Sequence, residues 1–127
     1  MFVSIDGNNI GKELEKYILN NDLENLKSFS SEILNNIGIF KRIIEKYSGE
    51  IYMLGGDNLL AYYEKNVEES ILNEIEEKKK CMKYEYAMGI GNTPVLAYLA
   101  LKKSKENLQN EIVKCYLKDE DIIFITI

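Results

Sequence analysis

Two largely apolar runs, Glu50 to Leu54 and Leu59 to Tyr63, flank the tetrapeptide Gly55-Gly56-Asp57-Asn58. That pattern predicts a β-hairpin with a tight, glycine-rich turn. A hairpin set between long helical segments restricts the possible folds more than any other feature of the chain. It demands an antiparallel pair at the centre of a mixed α+β arrangement.

The flanking segments extend this reading. Phe2 to Ile5 is a short apolar strand, and Gly7 to Gly11 (GNNIG) is a turn. Ile10, Leu14, Tyr17 and Ile18 recur at helical spacing up to about Asn20. Asn20-Asn21-Asp22 breaks that helix, and Asp22 is placed to cap the next one. The second helix is expected from about Leu23 to Tyr47, with Leu26, Phe29, Ile33, Ile37, Phe40, Ile43 and Ile44 as its apolar stripe. After the hairpin come an amphipathic helix over Val67 to Lys80 and a strand over Lys83 to Ile90. Pro94 suits the first turn of another helix, capped by Asn92 or Thr93 and reaching about Asn107. Glu111 to Tyr116 and Asp121 to Ile127 close the chain as strands.

With the first two helices taken as one broken crossover, the core order is βαββαβ, the split βαβ pattern of ferredoxin-like folds. The expected architecture is one α+β domain over residues 1–127. It has an antiparallel sheet, helices on one face and extra C-terminal strands. This architecture hosts many functions and fixes none of them.

Composition removes several classes. The chain has 127 residues, a formal net charge of −5 and no histidine. The acidic balance argues against a general DNA or RNA binder, whose affinity rests on neutralising phosphates. Without histidine there is no Ser-His-Asp or Cys-His triad, and the commonest zinc ligand is missing. Any catalysis must use carboxylates, lysines, metal ions or backbone. Cys81 and Cys115 have no metal-type spacing and lie in apolar segments. They read as small core residues in a reducing, cytoplasmic protein. No leader and no membrane span is expected.

Two places carry chemistry. Asp6 ends the first strand and is followed by Gly7, Asn8, Asn9, Ile10 and Gly11; Asp57 sits in the hairpin turn with Gly55, Gly56 and Asn58. In a βαββαβ sheet the first and third strands are central neighbours, so the two carboxylates meet at one edge. Like charges held close require a cation between them, and hard oxygen ligands favour Mg²⁺ or Mn²⁺. Phosphoryl transfer needs positioning and charge stabilisation more than a covalent side chain. Gly7 and Gly11 would let the backbone turn sharply, with first-turn N–H groups as a phosphate cradle. Gly55-Gly56 would keep the hairpin tip low beneath a nucleotide. Lys102 and Lys105 share a helix face and are placed to grip a triphosphate. Each signal alone is an ordinary turn, hairpin or solvated helix end; their joint order on one fold is the functional signal.

The segments FVSIDGNNIG and YMLGGDNLLAYYE together resemble the palm domain shared by GGDEF diguanylate cyclases and the polymerase subunit of type III CRISPR systems. The chain is most similar to stand-alone minimal CRISPR polymerases, the mCpol family. YAMGIGNTPVLAYLALKKSKEN loosely resembles the late strand and lysine-bearing helix of GGDEF domains. The resemblance implies Asp6 and Asp57 as metal ligands, the Gly7 carbonyl as a third, and Lys105 with Lys102 on phosphate. It also implies ATP-like substrates, a cyclic oligonucleotide product, antiphage defence and a separate effector that senses the product. Two positions depart from the pattern: Asn58 stands where CRISPR polymerases carry a second hairpin acid, and Asn8 where some relatives carry an acid. A cyclic dinucleotide requires two nucleotides to meet, so a homodimer with facing sites is expected. A catalytically silent nucleotide sensor and a ferredoxin-like dimeric interaction module are the alternatives.

Overall fold

The computed structural model describes residues 1–106 and 111–127. The order of elements is β1 (Phe2–Gly7), α1 (Ile10–Leu19), α2 (Leu23–Lys46), β2 (Glu50–Leu54), β3 (Asn58–Tyr62), α3 (Glu68–Lys79), β4 (Tyr86–Gly91), α4 (Pro94–Glu106), β5 (Ile112–Lys118) and β6 (Asp121–Thr126). A single 3₁₀ turn, Lys65–Val67, leads into α3. The expected end of α4 near Asn107 lies outside the described residues.

The six strands form one sheet in the order β2-β3-β1-β4-β5-β6. The first four reproduce the ferredoxin-like arrangement, all antiparallel, with β1 between β3 and β4. Ile5 lies opposite Leu59 and Asp6 opposite Asn58. The alternation of β1 buries Val3, Ile5 and Gly7 on one face. Leu59 and Ala61 of β3 join Val3 and Ile5 there in a core with the α2 stripe and with Ile71 and Ile75 of α3. Asp22 caps α2 as expected, its Oδ1 accepting from the Asn25 N–H at 3.2 Å.

Two expectations about the layers need correction. The sheet is not wholly antiparallel, because β4 and β5 pair in parallel. Helices on one face describes α1 to α3 but not α4. Tyr86, Met88 and Ile90 point into the α2–α3 core. On the other face of β4, Gly89 and Gly91 lie directly beneath the backbone of α4. Leu96 and Ala100 of α4 pack there with Val113 and Cys115 in a second core. The physical reason is the crossover: a parallel β4–α4–β5 connection needs a helix across one face, and α2 and α3 already fill the other.

Other corrections are local. Cys81 is exposed, just beyond α3, and only Cys115 is buried. Tyr63 lies past the end of β3, fully buried, with its hydroxyl donating to Glu68 at 2.6 Å. The α1 stripe is partly open, since Leu14 and Ile18 are exposed. Among the described residues no helix is long and apolar enough to cross a membrane.

A methyl group at Gly89 would collide with the Leu101 amide nitrogen and the Ala97 carbonyl oxygen, both backbone atoms within a helix. Gly89→Ala is therefore expected to destabilise the fold by about 2–3 kcal/mol, within the range for overpacking, as read from urea denaturation midpoints.

Candidate active site

The site lies where β1 ends against the turn that enters β3. Gly7 N–H donates to the Asp57 carbonyl at 3.0 Å, tying the hairpin tip to the strand end. On the other side, Asn8 N–H donates to the Glu85 carbonyl at 2.9 Å, fastening the following loop just ahead of β4. These bonds bring Asp6 and Asp57 together, as the pairing of β1 with β3 requires. The Lys105 ammonium reaches in from the last turn of α4 and forms an ion pair with Asp6 Oδ2.

The electrostatics follow from this geometry. Burial, and then the neighbouring Asp6 charge, hold the Asp57 carboxyl above the usual carboxylate range. A backbone hydrogen bond and the Lys105 charge pull the other way and do not cancel the effect. Among the described residues no group of three or more His, Cys, Asp or Glu side chains forms a metal cluster. Among the described residues, the carboxylates of Asp6 and Asp57 and the ammonium of Lys105 meet here.

The glycines act differently from expectation. No glycine among the described residues has a positive φ; the left-handed conformation after β1 belongs to Asn9, at φ 58°. Gly7 and Gly55 are small for want of space. A Cβ on Gly7 would strike Ile10 and lie 3.5 Å from Asp57 Oδ2, and one on Gly55 would strike the Asn58 amide. Gly11 and Gly56 have open space above them. Asn58 closes the turn, its carbonyl accepting from Gly55 N–H at 2.9 Å. Asn9 takes the N-cap position of α1 but makes no side-chain capping bond. Lys102 is directed elsewhere from Lys105: its ammonium lies over the Tyr98 ring, 5.1 Å from the centroid.

Beside Asp57 opens a cavity of about 350 Å³ between α1 and α2. Its walls are Ile10, Gly11 and Leu14 from α1, Phe29, Ser30, Ile33 and Leu34 from α2, and Gly56 with Asp57 at its inner end. Sequence reasoning found Ile10, Gly11, Gly56 and Asp57, placed Phe29 and Ile33 in the apolar stripe, and passed over Ser30 and Leu34. The available signal was Leu34, an exposed leucine outside the buried stripe.

Ser104 was also missed. It is fully buried, accepts from Met88 N–H at 3.2 Å and donates to the Glu111 carbonyl at 2.6 Å. It thereby fixes α4 one residue before Lys105.

Since Asp57 holds its proton more tightly folded than unfolded, its ionisation works against folding as pH rises through the carboxylate range. Asp57→Asn is expected to melt above the wild type in EDTA at pH 7. The difference should shrink as the pH falls toward 4, measured by circular dichroism.

Comparison with known proteins places this geometry. The crystal structure of the adenylyl cyclase CyaB from P. aeruginosa is similar, with a TM-score of 0.54 and 13% sequence identity, over 91% of this chain and 75% of that one. At that identity the likeness is one of fold. No curated protein matches the chain. The family profile of the mCpol, or minimal CRISPR polymerase, domain matches residues 2–115, which includes β1, the Asp57 hairpin and the Lys105 helix. The chain belongs to the mCpol family.

Proposed function

We propose that this protein is a metal-dependent nucleotidyltransferase that joins nucleoside triphosphates into a cyclic oligonucleotide. The family and the cyclase-like fold support a nucleotide cyclase or polymerase-like role. The observation that carries the reading furthest is the meeting of Asp6, Asp57 and Lys105, with Asp57 also lining the α1–α2 cavity.

The donor set suits a hard divalent cation. It offers carboxylate oxygens without histidine, and the Asp57 carboxyl is held above its usual range partly by a neighbouring carboxylate. Asp6, Asp57 and the Gly7 carbonyl would hold Mg²⁺ or Mn²⁺. When bound, such an ion acidifies an attacking hydroxyl and neutralises a departing pyrophosphate.

The chain's own residues do the rest. The apolar walls Leu14, Phe29 and Leu34 sandwich a nucleobase, in a cavity within the roughly 300–1,000 Å³ of small-molecule sites. The uncapped first turn of α1 offers N–H groups to phosphate oxygens. Asn8 and Asn9 shape that turn, while Gly11 and Gly56 leave room for the nucleotide. Lys105 neutralises the triphosphate; Lys102, a turn earlier, would have to swing off the Tyr98 ring to join it. A ribose hydroxyl of one nucleotide attacks the α-phosphorus of the next, and pyrophosphate leaves.

Carried over from the family are ATP as substrate, a cyclic oligonucleotide as product, and antiphage defence through a separate effector; a cyclic dinucleotide would need two nucleotides to meet, which a homodimer with facing sites provides. A catalytically silent nucleotide sensor is the second reading. It is favoured by the lack of a third acidic side chain among the described residues at the metal position.

Incubation with each of the four NTPs and Mg²⁺ or Mn²⁺, followed by mass spectrometry, tests the proposal. The wild type is expected to form a cyclic nucleotide, and Asp57→Ala to lose more than about a hundredfold in rate, beyond the effect of removing an outer-shell partner. Nucleotide-induced thermal stabilisation without product would leave the sensor; neither product nor stabilisation would leave an interaction module.

The cavity has its own test. Ser30 is exposed at its rim. Ser30→Phe is expected to weaken nucleotide binding about tenfold or more, by filling the space a base would occupy. Metal affinity should stay unchanged, and both are measured by titration calorimetry.

A further inference from the structure

Lys105 holds a position that a nucleotide-gripping lysine does not need to hold. Its ammonium is paired with the carboxylate of Asp6, and its charge also reaches Asp57. Its side chain is 34% exposed and that of Asp6 24%, so the pair is partly withdrawn from water and poorly screened. An ammonium bound to Asp6 and a divalent cation bound to the same carboxylate repel each other. A divalent cation taken up by Asp6 therefore weakens the hold of that carboxylate on Lys105.

We propose that Lys105 is the resident counter-ion of Asp6, displaced by an incoming divalent cation and thereby handed to the triphosphate. This rests on the reading of Asp6 and Asp57 as metal ligands. The helix that carries Lys105 cannot withdraw to make way. Gly89 and Gly91 hold the α4 backbone in direct contact with β4. Ser104, the residue before Lys105, is bonded to Met88 N–H and the Glu111 carbonyl. The displacement is therefore confined to the flexible four-carbon stem of Lys105, whose exposed side leaves room to swing.

The exchange makes metal and nucleotide binding cooperative. A metal ion arriving alone must break the Lys105–Asp6 pair and leave the ammonium without a partner. A metal ion arriving with a triphosphate brings the anions that receive it. The two ligands are coupled through one side chain, and the coupling is reciprocal.

Mn²⁺ binding, followed by the electron paramagnetic resonance signal of the free ion, separates the outcomes without reference to activity. Wild type, Lys105→Met and Asp57→Ala are titrated with Mn²⁺ alone and again with a non-hydrolysable ATP analogue. Lys105→Met is expected to bind Mn²⁺ alone about fivefold or more tightly than the wild type, and to lose most of the gain that the analogue gives the wild type. Circular dichroism confirms that the variant is folded, and Lys105→Gln, which keeps a polar tip, should behave alike. Equal or weaker Mn²⁺ affinity in both folded Lys105 variants would overturn the displacement while leaving the metal site intact. Equal Mn²⁺ affinity in wild type and Asp57→Ala would overturn the metal site itself, and the inference with it.

Discussion

The antiparallel register between β1 and β3 governs everything else in the molecule. It sets Ile5 against Leu59 in the core and Asp6 against Asn58 at the sheet's end. A slip of one residue would turn Val3 and Ile5 out of the core and carry Asp6 to the opposite face. Burial of the core therefore enforces the geometry of the site. The Gly7 N–H bond to the Asp57 carbonyl is the last rung of the same pairing, extended one step past the regular ladder.

That rigidity explains how an unfavourable arrangement persists. Two carboxylates at one point of a half-buried surface repel, and the burial of Asp57 adds to the effect. Elsewhere the chain sets opposite charges together, in exposed pairs such as Lys80 with Glu77 and in the more buried pair of Lys114 with Glu68. Only a well-packed scaffold can carry such a local conflict, and conflicts of this kind gather where a protein acts. The α2 stripe and the α3 isoleucines beneath the sheet are thus part of the chemistry's foundation, although none of α3 lines the site.

Much of this was legible in the sequence because it depends on local patterns. The hairpin, the α2 stripe, the Asp22 cap and the convergence of Asp6 with Asp57 all follow from periodicity and turn chemistry. The placement of α4 did not. Every residue of β4 is buried, so its alternation is silent about which face meets which helix. The meaning of Gly89 and Gly91 as a landing strip emerges only with α4 in place. The glycines of the two loops were recognised as necessary, but for conformational freedom. Gly7 and Gly55 instead admit Ile10 and the Asn58 amide, a matter of tertiary contact, while Gly11 and Gly56 face open space. The cavity escaped because Leu14 reads as one more residue of a helical stripe and Leu34 as a stray surface apolar until two helices stand side by side. Ser104 escaped for the same reason: a serine in a helix signals nothing until its two partners arrive from β4 and Glu111.

The clamp at Ser104 also bears on how such a chain can change over evolutionary time. Each residue of an α-helix turns the next by about 100°. Lys105 reaches Asp6 because a fixed number of residues separates it from the stretch of α4 lying on Gly89 and Gly91. An insertion or deletion between Ala97 and Ser104 would swing the lysine away from the carboxylate and aim a different side chain at the Met88 amide. The turn between β5 and β6, where Asp119 and Glu120 adopt left-handed conformations, carries no such phase relationship. A change of length there would leave the site in phase, whereas one in the helix would not, so the spacing from the β4 glycines to the lysine is a ruler built into the fold.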